Sequence, residues 1–190
     1  PALTAILAYA SVSGYRSGNN PLLAPLAMNE WEADDLRDPY VVEVDGMFYM
    51  FYSGKDADGV SGIGYATSRN GRKWFRSPEN PIFSAAEAGF DRGGVAAPIV
   101  TVVDGIWTLY YAASSEAGGR TTAFGKATST APEDSWDRSE EPILQIGPDL
   151  AWDSLSITPG SVIHGAGHYW LYYSGFSANG DIGIGLATSV

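Results

Sequence analysis

The chain has 190 residues, with 22 acidic against 11 basic side chains, a formal net charge of −11 at pH 7 and no cysteine. Such acidity argues against a nucleic-acid surface and against adhesion to anionic lipid, and its plain reading is solubility. The missing thiols exclude disulfides and thiolate metal sites, no apolar run reaches the ~18 residues of a membrane span, and no basic region precedes an apolar core, so no signal peptide is visible.

The first expected elements are an apolar strand, Leu3 to Ala10, and Pro21-Leu22-Leu23 after a turn. A fuller unit follows over 37–83. It holds Pro39-Tyr40-Val41, an Asp45-Gly46 turn, the aromatic run Met47 to Tyr52, Tyr65-Ala66-Thr67-Ser68 and finally Asn80-Pro81-Ile82-Phe83. Apolar runs divided by Asp-Gly, a Gly-containing loop and Asn70-Gly71 predict a four-stranded antiparallel meander. The wording returns over 95–146 as Pro98-Ile99-Val100, Asp104-Gly105, Ile106 to Tyr111, Lys126 to Ser129 and Glu141-Pro142-Ile143-Leu144. It returns again over 156–190 as Pro159 to Val162, Gly165-Ala166-Gly167, Tyr169 to Tyr173 and Leu186 to Ser189. The prolines Pro39, Pro98 and Pro159 are 59 and 61 residues apart.

A period near 60 with four short strands per unit predicts an all-β propeller in a single domain spanning residues 1–190. Residues 1–25 read as strands three and four of a split blade, 37–83 and 95–146 as whole blades, and 156–190 as strands one to three of another. Thirteen strands are therefore expected, and no helix beyond one short turn within 84–92. About three blades fall short of the 4–8 that propellers use. The expected remedies are a homo-oligomer, a dimer exchanging terminal strands to close the ring, or a longer gene of which this is a fragment.

First strands line the axis of a propeller, so Arg37-Asp38-Pro39, Ala96-Ala97-Pro98 and Ile157-Thr158-Pro159 are the candidate site. The Arg-Asp-Pro opening, the Asp-Gly turn before an aromatic strand, Tyr-Ala-Thr-Ser, Asn70-Gly71-Arg72-Lys73-Trp74 and Asn-Pro-Ile together resemble the five-bladed propeller glycosidases. These are glycoside hydrolase families 32, 43, 62 and 68 and the related family 130. The resemblance implies a carbohydrate partner of furanoside or xyloside type in an axial pocket and an extracellular or periplasmic place; with no Gly-rich phosphate loop, nucleophile elbow or helix N-terminus to hold a phosphate in the sequence, no cofactor is expected. It also implies a triad of carboxylates, since glycoside cleavage needs one to protonate the leaving oxygen and another to attack or activate water. Asp38 matches the transition-state carboxylate, with Arg37 expected to orient it or to bind substrate hydroxyls. Ala96 and Ile157 stand where the acid Glu belongs, and neither can donate a proton. The alternative is thus a non-catalytic glycan-binding or assembly propeller.

Trp31, Glu32, Asp35, Tyr40 and Trp152 complete the candidate substrate-binding set. Glu32 has counterparts at Asp91 and Asp153, each following an aromatic (Trp31, Phe90, Trp152), and that repetition favours a loop-fixing role; the tryptophans favour packing. His164 and His168 lack further ligands at metal spacing, so no metal site is expected. Asn70 to Trp74 resembles the Asp-box of sialidases, a hairpin device. Glu116, in the loop at Ser114 to Gly119, is a candidate substitute for the missing acid.

Overall fold

The computed structural model describes residues 16–26 and 30–189. Its first sheet runs β1 (Asp35–Val44), β2 (Met47–Lys55), β3 (Ser61–Ser68) and β4 (Phe75–Arg76) in that order. The second runs β5 (Gly94–Val103), β6 (Ile106–Ser114), β7 (Ala123–Ser129) and β8 (Asp137–Arg138), with β9 (Leu144–Gln145) also paired to β7. The third has β10 (Ser156–Gly165), β11 (His168–Phe176) and β12 (Ile182–Ser189). All pairings are antiparallel. Among the described residues there is only a 3-10 turn, Glu30–Glu32, and no helix long and apolar enough to cross a membrane.

Each first hairpin closes on two residues of positive φ: Asp45-Gly46, Asp104-Gly105 and Ala166-Gly167. This backbone twist matches that of the flanking strands and fixes register.

Sheets stand side by side, with β5 against β1 on one flank and β10 on the other. Phe51, Ile63, Tyr65, Val95, Val100 and Trp107 fill the space between the first two sheets. Ile99, Tyr110, Phe124, Ile157, Leu171 and Tyr173 fill the second interface. Burying side chains of this size contributes about 1.5–3 kcal/mol each. Tyr40 on β1 packs against both clusters, where the first strands converge. Side-by-side meanders meeting at their first strands are the blades of a β-propeller.

Two expectations change. The fourth strand is Phe75–Arg76, earlier than Asn80 to Phe83, which makes only the bridge Ile63↔Phe83. Pro21-Leu22-Leu23 is likewise not a strand, and Leu3 to Ala10 lies outside the described residues, which hold twelve strands. The glycines of β3 and β12 lie beneath aromatic side chains. A Cβ on Gly64 would come within 2.6 Å of the Trp31 ring, and one on Gly185 within 2.4 Å of Tyr173. They make room for aromatic rings lying across the strand.

Candidate functional site

Both β1 and β5 carry a bulge at the same point. Pairing passes from Arg37↔Ser53 to Tyr40↔Phe51 and from Ala96↔Ala112 to Ile99↔Tyr110, so two residues face one tyrosine. At the bulge Asp38 has φ 55° and Ala97 φ 49°, each just before a proline. Left-handed backbone is costly for residues with a Cβ, and a following proline disfavours helical conformations further. Such conformations persist where surrounding contacts impose them, and they cluster at functional sites.

The imposing contact is Ser53, buried on β2. Its hydroxyl donates to Asp38 Oδ2 at 2.9 Å and accepts the Ala97 N–H at 2.8 Å. One serine thus ties the carboxylate of the first blade to the bulged backbone of the second. Arg37 approaches the same oxygen with Nε at 3.4 Å and donates from Nη1 to Asp35 Oδ2 at 3.0 Å. All three charged side chains are more than a third exposed. Ion pairs so exposed add little stability; their effect is to orient the carboxylate. Among the described residues Asp38 is held by a hydroxyl and a guanidinium, without the backbone-capping bonds that a purely structural strand cap would use.

Register corrects the third first strand. Thr158 pairs with Ser174, the residue after the strand-two tyrosine, as Arg37 pairs with Ser53 and Ala96 with Ala112. Here the bulge follows Pro159 instead of preceding it, so aligning prolines misplaces this strand by one. Thr158, not Ile157, therefore stands at the Arg37 position, and fully buried Ile157 belongs to the core like Val95.

The other candidates are brought together elsewhere. Trp31 stacks on Tyr52 at 5.7 Å and Trp152 on Tyr173 at 5.7 Å, with Phe90 on Tyr111 at 6.4 Å. The acids after them are buried, and here the structure supplies a partner that inspection of the sequence misses. Arg76 of β4 brings Nε to 2.9 Å from Glu32 Oε1, and Arg138 of β8 donates to Asp91. Each arginine also binds the tail of the preceding unit: Arg76 donates to Ala24 O at 2.5 Å and Arg138 to Ser84 O at 2.6 Å. Tyr111 donates to Asp91 at 2.9 Å and Tyr173 to Asp153 at 3.0 Å. Burial pushes the Tyr52 and Tyr111 hydroxyls well up, with Glu32 and Asp91 respectively adding to it. Trp31 and Trp152 thus pack on their own sheets, and Glu32, through Arg76, ties the first blade to the segment before it. Tyr40 is half-buried at the sheet junction, its hydroxyl raised by burial.

Asn70 builds the β3–β4 turn, accepting the N–H groups of Arg72 and Lys73 at 2.9 and 3.1 Å. Glu116 is exposed in the loop after β6, where Gly118 meets Gly59 of the loop after β2. Both loops lie at the Asp35 and Gly94 end of the first strands. An apolar cleft between the second and third sheets, bounded by Tyr110, Ile143, Val162 and Leu171, includes no carboxylate. Among the described residues no three His, Asp or Glu gather to hold a metal.

No family model matches the chain. Among curated proteins, a 1,2-beta-oligomannan phosphorylase of Thermoanaerobacter sp. (strain X514) is 28% identical over 103 residues, 50% of this chain and 34% of that protein. Among solved structures, Zg3597, a family 117 glycoside hydrolase of the marine bacterium Zobellia galactanivorans, superposes with a TM-score of 0.68 at 23% identity, covering 93% of this chain and 56% of its own. The beta-1,2-mannobiose phosphorylase of Listeria innocua gives 0.67 at 15% identity, covering 88% and 44%. These likenesses show the fold; the chain spans 34% of the curated relative and 56% and 44% of the two structures.

Proposed function

We propose that this is part of a carbohydrate-active propeller that receives a glycoside against Asp38. The observation carrying the reading is the Ser53–Asp38–Arg37 arrangement on strained backbone at the strand entrance. Ser53 and Arg37 both meet Oδ2, so Oδ1 is the oxygen left to accept a hydrogen bond from a sugar hydroxyl. Asp35 and Tyr40 border the same strand and belong to this proposal, whereas Trp31, Glu32 and Trp152 are left to blade packing. The furanoside or xyloside class rests on the sequence resemblance, and the relatives' names add β-1,2-mannosides to the substrates worth testing.

Cleavage needs a proton donor as well as a stabilising carboxylate. Ala96 supplies none, and Glu116 is the carboxylate that the same end of the propeller offers. The test is a panel of aryl arabinofuranosides, xylosides and fructosides together with β-1,2-mannobiose, each with and without inorganic phosphate. Turnover lost in both Asp38→Asn and Glu116→Gln supports the enzyme. Binding without turnover, weakened by Asp38→Asn alone, supports the second reading, a glycan-binding module, for which Ala96 speaks. Neither turnover nor binding across the panel overturns both.

A further inference from the structure

We propose that the turn between β3 and β4 is a second binding site, which takes the sulfate or carboxylate groups of an anionic polysaccharide. This goes beyond the Asp38 reading and stands apart from it.

The turn lies at the far end of the first sheet. Ser68, the last residue of β3, pairs with Phe48 next to the Asp45-Gly46 hairpin, whereas Ser53 pairs with Arg37 at the other end. The five residues of β2 between those pairings separate the two places by about 17 Å.

Arg69, Arg72 and Lys73 are exposed on this turn. Among the described residues, four of the 11 basic side chains form ion pairs: Arg37, Lys55, Arg76 and Arg138. Three of the remaining seven therefore stand within five positions of one another, a local reversal of sign in a chain of net charge −11. Like charges so close repel and do nothing for the fold.

The second sheet supplies an internal control. Trp74 Nε1 donates to Gly71 O at 3.2 Å, and Trp136 Nε1 donates likewise to Pro132 O at 3.3 Å. The Ser68 hydroxyl braces the first turn by accepting the Gly71 N–H at 3.0 Å, and Ser129 braces the second by donating to Ala131 O at 2.8 Å. Yet the second turn exposes Glu133 and Asp134. The device thus closes with either sign of charge, so the cations of the first turn are not there to build it.

A cleft opens beside each turn on matching residues: Met47, Thr67 and Ser68 in the first sheet, Ile106, Thr128 and Ser129 in the second. What completes the lining differs. Arg69, Lys73 and Phe75 close the first cleft, of about 200 Å³, whereas Asp134 and Asp137 stand in the second. The first is built for an anion.

Phe75 points to a sugar as the carrier of that anion. Its ring is 58% exposed, with Lys73 Nζ 5.1 Å from the centroid. Opposite Thr67, it shares the face of Tyr65, which meets the second sheet, so both neighbours of the cleft are in place. An open aromatic ring offers an apolar surface to the C–H face of a sugar, while the guanidinium groups grip its oxyanions in pairs. Nucleic acid calls instead for an extended basic stripe, and three cations make only a spot.

Calorimetric titration with dextran sulfate, polygalacturonate, plain dextran and a single-stranded oligonucleotide tests this. One or both of the charged polysaccharides should bind, more weakly as salt is raised, and plain dextran should not. Binding of dextran sulfate alone or of polygalacturonate alone supports the site and identifies its anion. Arg69→Gln with Lys73→Gln should weaken binding about a hundredfold, and Phe75→Ala about tenfold. Arg69→Lys with Lys73→Arg should restore most of it. Asn70, Ser68 and Trp74 are untouched in these variants, so the melting temperature should not fall. Asp38→Asn should leave the affinity unchanged, which separates this site from the one at the strand entrance. No binding of either charged polysaccharide, equal binding by the double glutamine variant, loss of binding in Asp38→Asn, or tighter binding of the oligonucleotide overturns the proposal.

Discussion

At the residue scale the account turns on Ser53, whose one hydroxyl serves two blades. Ser53→Ala leaves the Ala97 N–H without its acceptor and Asp38 Oδ2 with the Arg37 guanidinium alone. It should therefore destabilise the fold by about 1–3 kcal/mol in chemical denaturation and release Asp38 from its fixed position. Ala97→Gly should act oppositely. It removes a Cβ from left-handed backbone at a cost in unfolded-chain entropy, for a net gain of about 0.5–1 kcal/mol. A loss of stability on that change would contradict the assignment of strain. Asp38 was legible in the sequence because Arg-Asp-Pro is a recognisable tripeptide at a strand entrance. Ser53 was not, because a serine inside an aromatic strand looks like ordinary alternation, and its significance comes from Ala97, 44 positions away. Thr158 was misassigned because the bulge in β10 falls after the proline, and no local signal marks where a bulge sits.

At the element scale the strands were largely legible from Asp-Gly turns and from the aromatic run that opens each second strand. The clasps that join the units were only half legible. The aromatic-acid pairs showed themselves by repetition, but Arg76 and Arg138 sit in two-residue strands that leave no periodicity to read. Breaking one clasp should be costly, because Asp91 is buried: Arg138→Gln is expected to destabilise by about 3–5 kcal/mol. The tyrosines of these clasps set an alkaline limit. Unfolded tyrosine releases its proton near pH 10, whereas buried Tyr111 in the fold retains it. The unfolded state then binds fewer protons, so stability is intact below pH 10 and falls as the pH rises above it. The slope is about 1.4 kcal/mol per pH unit for each such tyrosine until its folded pKa is reached. Tyr111→Phe should lower stability at pH 8, where the bond to Asp91 is lost, yet flatten the decline between pH 10 and 11. Denaturant midpoints at these pH values read both effects, and an unchanged slope would contradict the placement.

At the scale of the whole molecule, sheets meeting at their first strands bring the bulges of β1 and β5 together, and with them Asp38, Ser53 and Ala97. The fold makes this region a converging point whether or not a proton donor stands beside it, which is why fold alone does not supply the reaction. Recognition of sugar there is the central claim, and backbone amide resonances report on it directly. Titrating isotope-labelled protein with arabinofuranosides, xylosides, fructosides and β-1,2-mannobiose should move the Asp38 and Ala97 amide signals with at least one sugar class. The same titration of Asp38→Asn should leave Ala97 in place. If no sugar moves either amide, or if the variant responds as the parent does, glycoside recognition at this carboxylate is contradicted.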